Sequence, residues 1–415
     1  MPSSPASRRL FSRIVTLAAG LLVALAGSVV ASGGGGGVPH PETLLPPPPP
    51  WDGASRALIT DADDPWRTVA EASDFARTPS YDDTVAYLRR LVDAAPDLHL
   101  LPFGESGAGR TLWLVVAARG LETPTPAALA RLDRPVVLAQ AGIHAGEIDG
   151  KDAGLMLLRD LGLGRRGGDL LARASLLFVP VLNPDGHERI SPYGRVNQRG
   201  PERMGWRTNA RNLNLNRDYA KADAPEMRAV LDLISAWQPD LYLDLHVTDG
   251  VDYQYDITWG HGGRHMASPA IAAFFEDVLT PAVAAHLSDR GHVPGPLVFA
   301  FDRGDLTQGI YGWTATPRYS DGYGAARHLP TILVENHSLK PYDQRVLGTY
   351  HFLVGVLDAV VDHADALRAA TARDRASRPD PVTLAWRMPE PPAPEWIDFR
   401  GVRVETAPSA LTGGT

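Results

Sequence analysis

Cysteine is absent from all 415 residues, and its absence excludes disulfides, thiolate zinc ligands, a cysteine nucleophile and a lipoprotein acylation site together. Any bound metal must therefore take His, Asp or Glu. Aromatics are sparse at 7%, and Lys plus Arg (40) fall short of Asp plus Glu (48), giving a formal charge of −8. Loss of residues 1–31, which hold three arginines and no acid, makes it about −11. So negative a chain is poorly suited to nucleic acid, and no nucleic-acid partner is expected. What is present is 44% hydrophobic residues, ample for a sizeable core.

The first segment stands apart. Arg8, Arg9 and Arg13 precede an acid-free apolar run from Ile14 to Val30 that ends in small residues, Val29-Val30-Ala31-Ser32. This is the pattern of a signal peptide over 1–31, implying export to the periplasm or medium. The alternative is an uncleaved membrane anchor, for which seventeen residues are at the lower limit of length. Gly33–Gly37 and Pro46–Pro50 follow, a flexible spacer passing into polyproline. Residues 32–77 are accordingly expected as linker and loose lead-in.

From residue 78 the pattern becomes regular and stays so to about 377. A helix is expected over Asp82–Ala95 and strands at Leu98–Pro102 and Leu112–Ala117, separated by Gly104, Gly107 and Gly109. Four apolar runs too short for helices follow, Pro135–Ala141, Leu176–Leu182, Leu241–Leu245 and Thr331–Val334. Helical stretches lie between and beyond them at Glu147–Leu161, Pro225–Trp237, Ser268–Ser288 and Tyr342–Ala376. The alternation implies an α/β fold with a mixed, mostly parallel sheet covered by helices on both faces. Residues 378–415 are Pro-rich, with Thr383–Arg387 and Phe399–Glu405 as candidate strands of a short β segment, either a small appended module or one cut short.

Polar residues at the ends of apolar strands carry the chemistry. His144 and Glu147 lie just past the run Pro135–Ala141, three apart, so that one helical turn aims both inward. His246 closes Leu241–Leu245, and Glu335 closes Thr331–Val334. The carboxyl ends of strands form the ligand crevice of open α/β sheets, where all four can meet. Two imidazoles and a carboxylate suit one zinc ion, with a position left for water, and Glu335 is the candidate general base. Between these motifs, residues 205–219 are dense in guanidinium and amide groups, among them Arg207, Arg211, Asn214, Asn216 and Arg217, which suit recognition of a carboxylate and an oxyanion.

In these residues the chain resembles the zinc carboxypeptidases, the family of carboxypeptidases A, B, D and E, over about residues 79–362. The resemblance implies that His144, Glu147 and His246 bind zinc. It also implies that Asn216-Arg217 hold the substrate's terminal carboxylate, that Arg207, or else Arg211, stabilises the oxyanion, and that Glu335 is the base. It further implies a peptide substrate, and for an exported protein cell-wall stem peptides are included. Of the residues near the expected capping tyrosine, Tyr311, Tyr319 and Tyr323, the favoured one is Tyr319. The family's aspartate two residues before the carboxylate-binding asparagine is Asn214 here, a departure that leaves open a weaker metal site or a catalytically silent zinc- or peptidoglycan-binding domain. An N-acyl amino acid deacylase is the other enzymatic reading. His187-Glu188, His261 and His265 are expected at the surface, and Asn183-Pro184-Asp185-Gly186 as a structural turn.

Overall fold

A computed structural model describes residues 47–379 apart from 267, 303 and 304, with a few isolated residues before them and parts of 386–414 after. The expected signal segment and the glycine run lie outside the described residues. Among the described residues ten strands are present: β1 Leu98–Glu105, β2 Thr111–Ala117, β3 Val136–Ala141, β4 Ser175–Val179, β5 Leu241–Val247, β6 Ile257–Gly260, β7 Pro294–Pro296, β8 Val298–Ala300, β9 Ile310–Gly312 and β10 Thr331–Asn336. Eight form one sheet in the order β1-β2-β4-β3-β5-β10-β6-β7, and β8 and β9 pair separately. The centre, β4-β3-β5-β10, is parallel, flanked by antiparallel β2 on one side and β6 on the other. The fold is the expected mixed sheet with helices on both faces.

Of the central strands β3, β4 and β5 are buried along their whole lengths and β10 at all but Glu335, which explains why they read as largely apolar runs without alternation. One face packs against helices Asp149–Gly162 and Tyr342–Asp362 and the apolar side of Pro269–Ser288; the other is covered by Pro225–Trp237 through Met227, Val230, Leu233 and Ile234. Pro269–Ser288 is long and apolar enough to cross a membrane by composition. Its Ile271, Phe274, Phe275, Leu279, Val283 and Leu287 instead belong to the core. The helical stretch expected as one piece over Tyr342–Ala376 is two, parting at His363.

Two expectations about the ends are corrected. Residues 51–77 are not a loose lead-in: Leu58, Ala70 and Phe75 are buried in the same core as the sheet. Thr68 and Glu71 form a reciprocal cap on a short helix, and Glu71 also receives Arg159 at 2.6 Å. Nearby, Ser55 Oγ lies 2.8 Å from His292 Nε2, and His292 Nδ1 lies 2.8 Å from Asp256, all three buried. This chain of bonds fastens the segment to the domain. At the other end, the described residues of Phe399–Glu405 form no strand, and Thr383–Ala385 lie outside the described residues. Phe399–Gly401 instead docks on Gln254, whose N–H donates to the Arg400 carbonyl at 2.9 Å.

Candidate active site

β3, β5 and β10 run parallel and end at the same edge, and three of the four polar residues singled out in the sequence follow from that. His246 and Glu335 occupy paired positions on neighbouring strands, so their side chains leave the same face side by side. His144 lies three residues beyond β3, after Gly142, whose φ of +67° turns the chain over the sheet edge within contact of Val181. A turn bonded from Glu147 N–H to the His144 carbonyl then brings the carboxylate back over the imidazole. Gly205 lets the next loop lie on this turn, since a Cβ there would come within 2.6 Å of the Ala145 carbonyl oxygen.

The result is a cluster of His144, Glu147 and His246, all buried, with one donor atom of each within 4.8 Å of the others. His144 Nδ1 is 3.1 Å from Glu147 Oε1 and His246 Nδ1 is 3.0 Å from Oε2. Both Nε2 atoms point away, His144 to Asn214 Oδ1 at 3.0 Å and His246 to Asp244 Oδ2 at 2.9 Å. Each ring thus turns its Nδ1 toward Glu147 and the same small volume. That is how imidazoles are oriented toward a metal by outer partners. The amide of Asn214 holds its ring in this orientation although it lacks the carboxylate's charge.

Charges in the cluster are strongly perturbed. Burial pushes the His144 imidazole down. Burial also opposes the Glu147 carboxylate, but His144 and Arg195 outweigh it and hold its pKa well below the usual range. For His246 burial is overcome by Asp244, and its pKa is raised well above the ordinary value. For Glu335 the neighbouring His246 offsets burial only in part: burial pushes it up to about 8, and its Oε2 has no hydrogen-bond partner. An unpartnered carboxyl oxygen facing two imidazoles and a carboxylate fits a site made for a cation and a water.

All eight residues singled out in the sequence line one cavity of about 230 Å³: His144, Glu147, Arg207, Asn216, Arg217, His246, Tyr319 and Glu335. Arg207 Nη1 donates to Glu147 Oε1 at 2.9 Å, whereas Arg211 is exposed and does not line the cavity. The Arg217 guanidinium stacks 4.4 Å above the Tyr319 ring, and Asn216 lies behind it, 3.3 Å from His246 Nε2. Tyr311 also lines the cavity; Tyr323 packs against Tyr219 outside it.

Two functional neighbours were missed in the sequence. Asp244 lies in the apolar run of β5 itself, two residues before His246 and therefore on the same face, and its other oxygen accepts from Gln140 at 3.1 Å. Arg195 comes from a loop without periodicity, and no local signal marks it. Its Nη1 is 2.7 Å from Glu147 Oε1, while Nη2 donates to the carbonyls of Val247 and Thr248 and Nε to Gln198. The surface reading of His187 is also corrected: the ring is buried, 3.0 Å from the Lys151 ammonium, with Nδ1 2.8 Å from Glu188. His265 is exposed and His261 half-buried against Phe275. Asp185 accepts from Ser106, Ala108 and Arg110, fixing the turn it belongs to.

Comparison with known proteins bears on the family and the fold. Mouse carboxypeptidase D is 32% identical over 159 residues, which is 32% of this chain and 12% of that protein. Human carboxypeptidase D is 30% identical over 189 residues, 43% of this chain and 13% of that protein. The chain thus spans about an eighth of the length of these relatives. Among solved structures, carboxypeptidase A of Helicoverpa armigera superposes with a TM-score of 0.50 at 19% identity, covering 77% of this chain and 80% of that one. Thrombin-activatable fibrinolysis inhibitor gives 0.51 at 16% identity, covering 76% and 82%; both likenesses are of fold. The profile of the zinc carboxypeptidases matches residues 84–292, a span that holds the His144, Glu147 and His246 cluster, and the chain belongs to that family.

Proposed function

We propose that the protein is an exported carboxypeptidase that hydrolyses a C-terminal peptide or isopeptide bond with one zinc ion held by His144, Glu147 and His246. The observation that carries this reading is the single cavity in which two Nδ1 atoms converge on Glu147, an unpartnered Glu335 oxygen faces them, and the Arg217 guanidinium lines the same wall. Bound zinc supplies Lewis acidity, polarising the scissile carbonyl and acidifying water.

The chain's own groups do the rest. Arg217, stacked on Tyr319 and backed by Asn216, grips the free carboxylate and so selects a chain terminus. Arg207, on the rim of the donor cluster, offers a cation to the developing oxyanion. Glu335 takes a proton from the attacking water and passes it to the leaving amine. Glu335, with its raised pKa, sits where a divalent ion held by His144, Glu147 and His246 would favour its carboxylate form. The Arg-rich start and apolar run of residues 1–31 support export, and with it peptides or cell-wall stem peptides as substrates.

A Glu335→Gln variant should bind one equivalent of zinc and lose turnover by 10²-fold or more, on the order of a general base's contribution. Full activity in that variant sinks the assignment. Matched peptides with free and amidated C-termini test the carboxylate grip: equal cleavage removes Arg217 from its role, and preference for N-acyl amino acids over peptides makes the enzyme a deacylase.

A further inference from the structure

Among the described residues of the C-terminal segment after the last helix, Phe399 reaches the catalytic cavity. Of the segment's described residues from 396 on, Trp396 is 98% exposed and Ile397 and Val402 are exposed too, while Phe399 is turned inward and lines the cavity with Glu335 and His246. It is held by both main chain and side chains. Gln254 N–H donates to the Arg400 carbonyl at 2.9 Å, Gln254 Nε2 to the Gly401 carbonyl at 2.8 Å, and Arg400 N–H to the Tyr255 hydroxyl at 3.1 Å. The Phe399 ring meets Tyr255 at 5.2 Å and Tyr253 at 6.0 Å, both edge-on.

The position of this contact relative to the reacting centre follows from the ring contacts. Tyr253 packs 4.4 Å from His337, two residues past Glu335, so the Phe399 set is built onto the Glu335 side. The other aromatic set, Tyr319-Trp313-Phe299-Tyr311, is built onto Arg217. Among the described residues no ring contact joins the two sets. A substrate gripped by its carboxylate at Arg217 places its last residue beside the second set and its scissile carbonyl at Glu335. Whatever extends beyond the carbonyl meets the first set.

We propose that Phe399 forms the wall for the residue on the amino-terminal side of the scissile bond and gives the enzyme a preference for an apolar or aromatic side chain there. This rests on the carboxypeptidase reading above. The cavity wall is thereby completed by a segment that lies outside the helices and strands of the fold.

The test compares kcat/KM for two acyl dipeptides that differ only in the residue before the scissile bond, phenylalanine or glycine, in the full chain. Phe399→Ala should lower the phenylalanine-to-glycine ratio by about three- to tenfold, the range an aromatic pair contributes. Phe399→Tyr should keep the ratio, and Trp396→Ala should leave it unchanged. An unaltered ratio in Phe399→Ala, or an equal fall in Trp396→Ala, overturns the assignment while leaving the carboxypeptidase reading standing. If the unsubstituted protein cuts neither substrate, the carboxypeptidase reading fails and this assignment falls with it.

Discussion

Replacing Arg195 with methionine tests whether the donor cluster is held together from behind. In the folded protein this guanidinium is buried and makes ion pairs with Glu147 and with the half-exposed Asp249, and three further hydrogen bonds, to Gln198 and to the carbonyls of Val247 and Thr248 that follow His246. Methionine fills similar space and offers no donor. Without zinc, Glu147 then keeps Arg207 as its only arginine partner, on the partly open side of the cavity. Removing one partner of a buried ion pair costs about 3–5 kcal/mol. For roughly 330 ordered residues, at about 2 cal/mol/K of unfolding entropy each, that is a fall in Tm of about 4–7 °C. With zinc bound, the ion's charge compensates Glu147, and what remains is the two carbonyls left without their donors, about 2 kcal/mol. Thermal melts with chelator and with saturating zinc measure both quantities. The variant should lose more stability in chelator than in zinc; equal losses in the two conditions, or no loss in chelator, would refute the idea that Arg195 balances the charge of this ligand.

Asn214→Asp puts a carboxylate behind the His144 ring, which should make the imidazole a stronger donor and tighten zinc binding by about tenfold. Competition against a chromophoric chelator reads the change, and an unchanged or weaker affinity contradicts it. Acid should destabilise the protein through His187, which burial, with the Lys151 ammonium beside it, pushes down to about 4. The unfolded chain takes up a proton below about pH 6.5 while the folded one does not, so this stability is complete above that pH and is lost progressively down to about pH 4, by about 3 kcal/mol in all. Burial also lowers His286 to about 4 and His351 to about 3, so both act in the same direction. Urea unfolding at pH 7 and pH 4.5 should show the difference, and equal unfolding free energies would disprove it.

The four central strands were legible because burial on both faces removes polar residues from them, so that a polar residue at a strand end stands out as His246 and Glu335 do. Asp244 carried the same signal one turn of the pleat earlier and was passed over because it sits inside its run. Arg195 had no signal, since apart from nearby Gln198 its partners are Glu147, 48 positions away, and carbonyls 52 and 53 positions away, contacts that exist only once the loop has folded over the turn at Gly146. The packing of residues 51–77 was hidden because Leu58, Ala70 and Phe75 follow no helical or strand period. The Thr68-x-x-Glu71 cap was nevertheless written in the sequence. The break at His363 lacks glycine or proline, the residues that announce a helix end. At the C-terminal end, alternation in Phe399–Glu405 imitates a strand, while the chain there is fixed by aromatic contacts to Tyr253 and Tyr255.

Because His246 and Glu335 are cross-strand partners in a parallel ladder, the backbone spacing between the proposed metal ligand and the proposed proton carrier is set by the repeat of the sheet, about 4.8 Å, and not by a loop. Surrounding loops can lengthen or shorten through evolution without disturbing that spacing. Slippage of β10 by one residue, in contrast, would send the Glu335 carboxyl to the opposite face of the sheet, among the apolar side chains of the core.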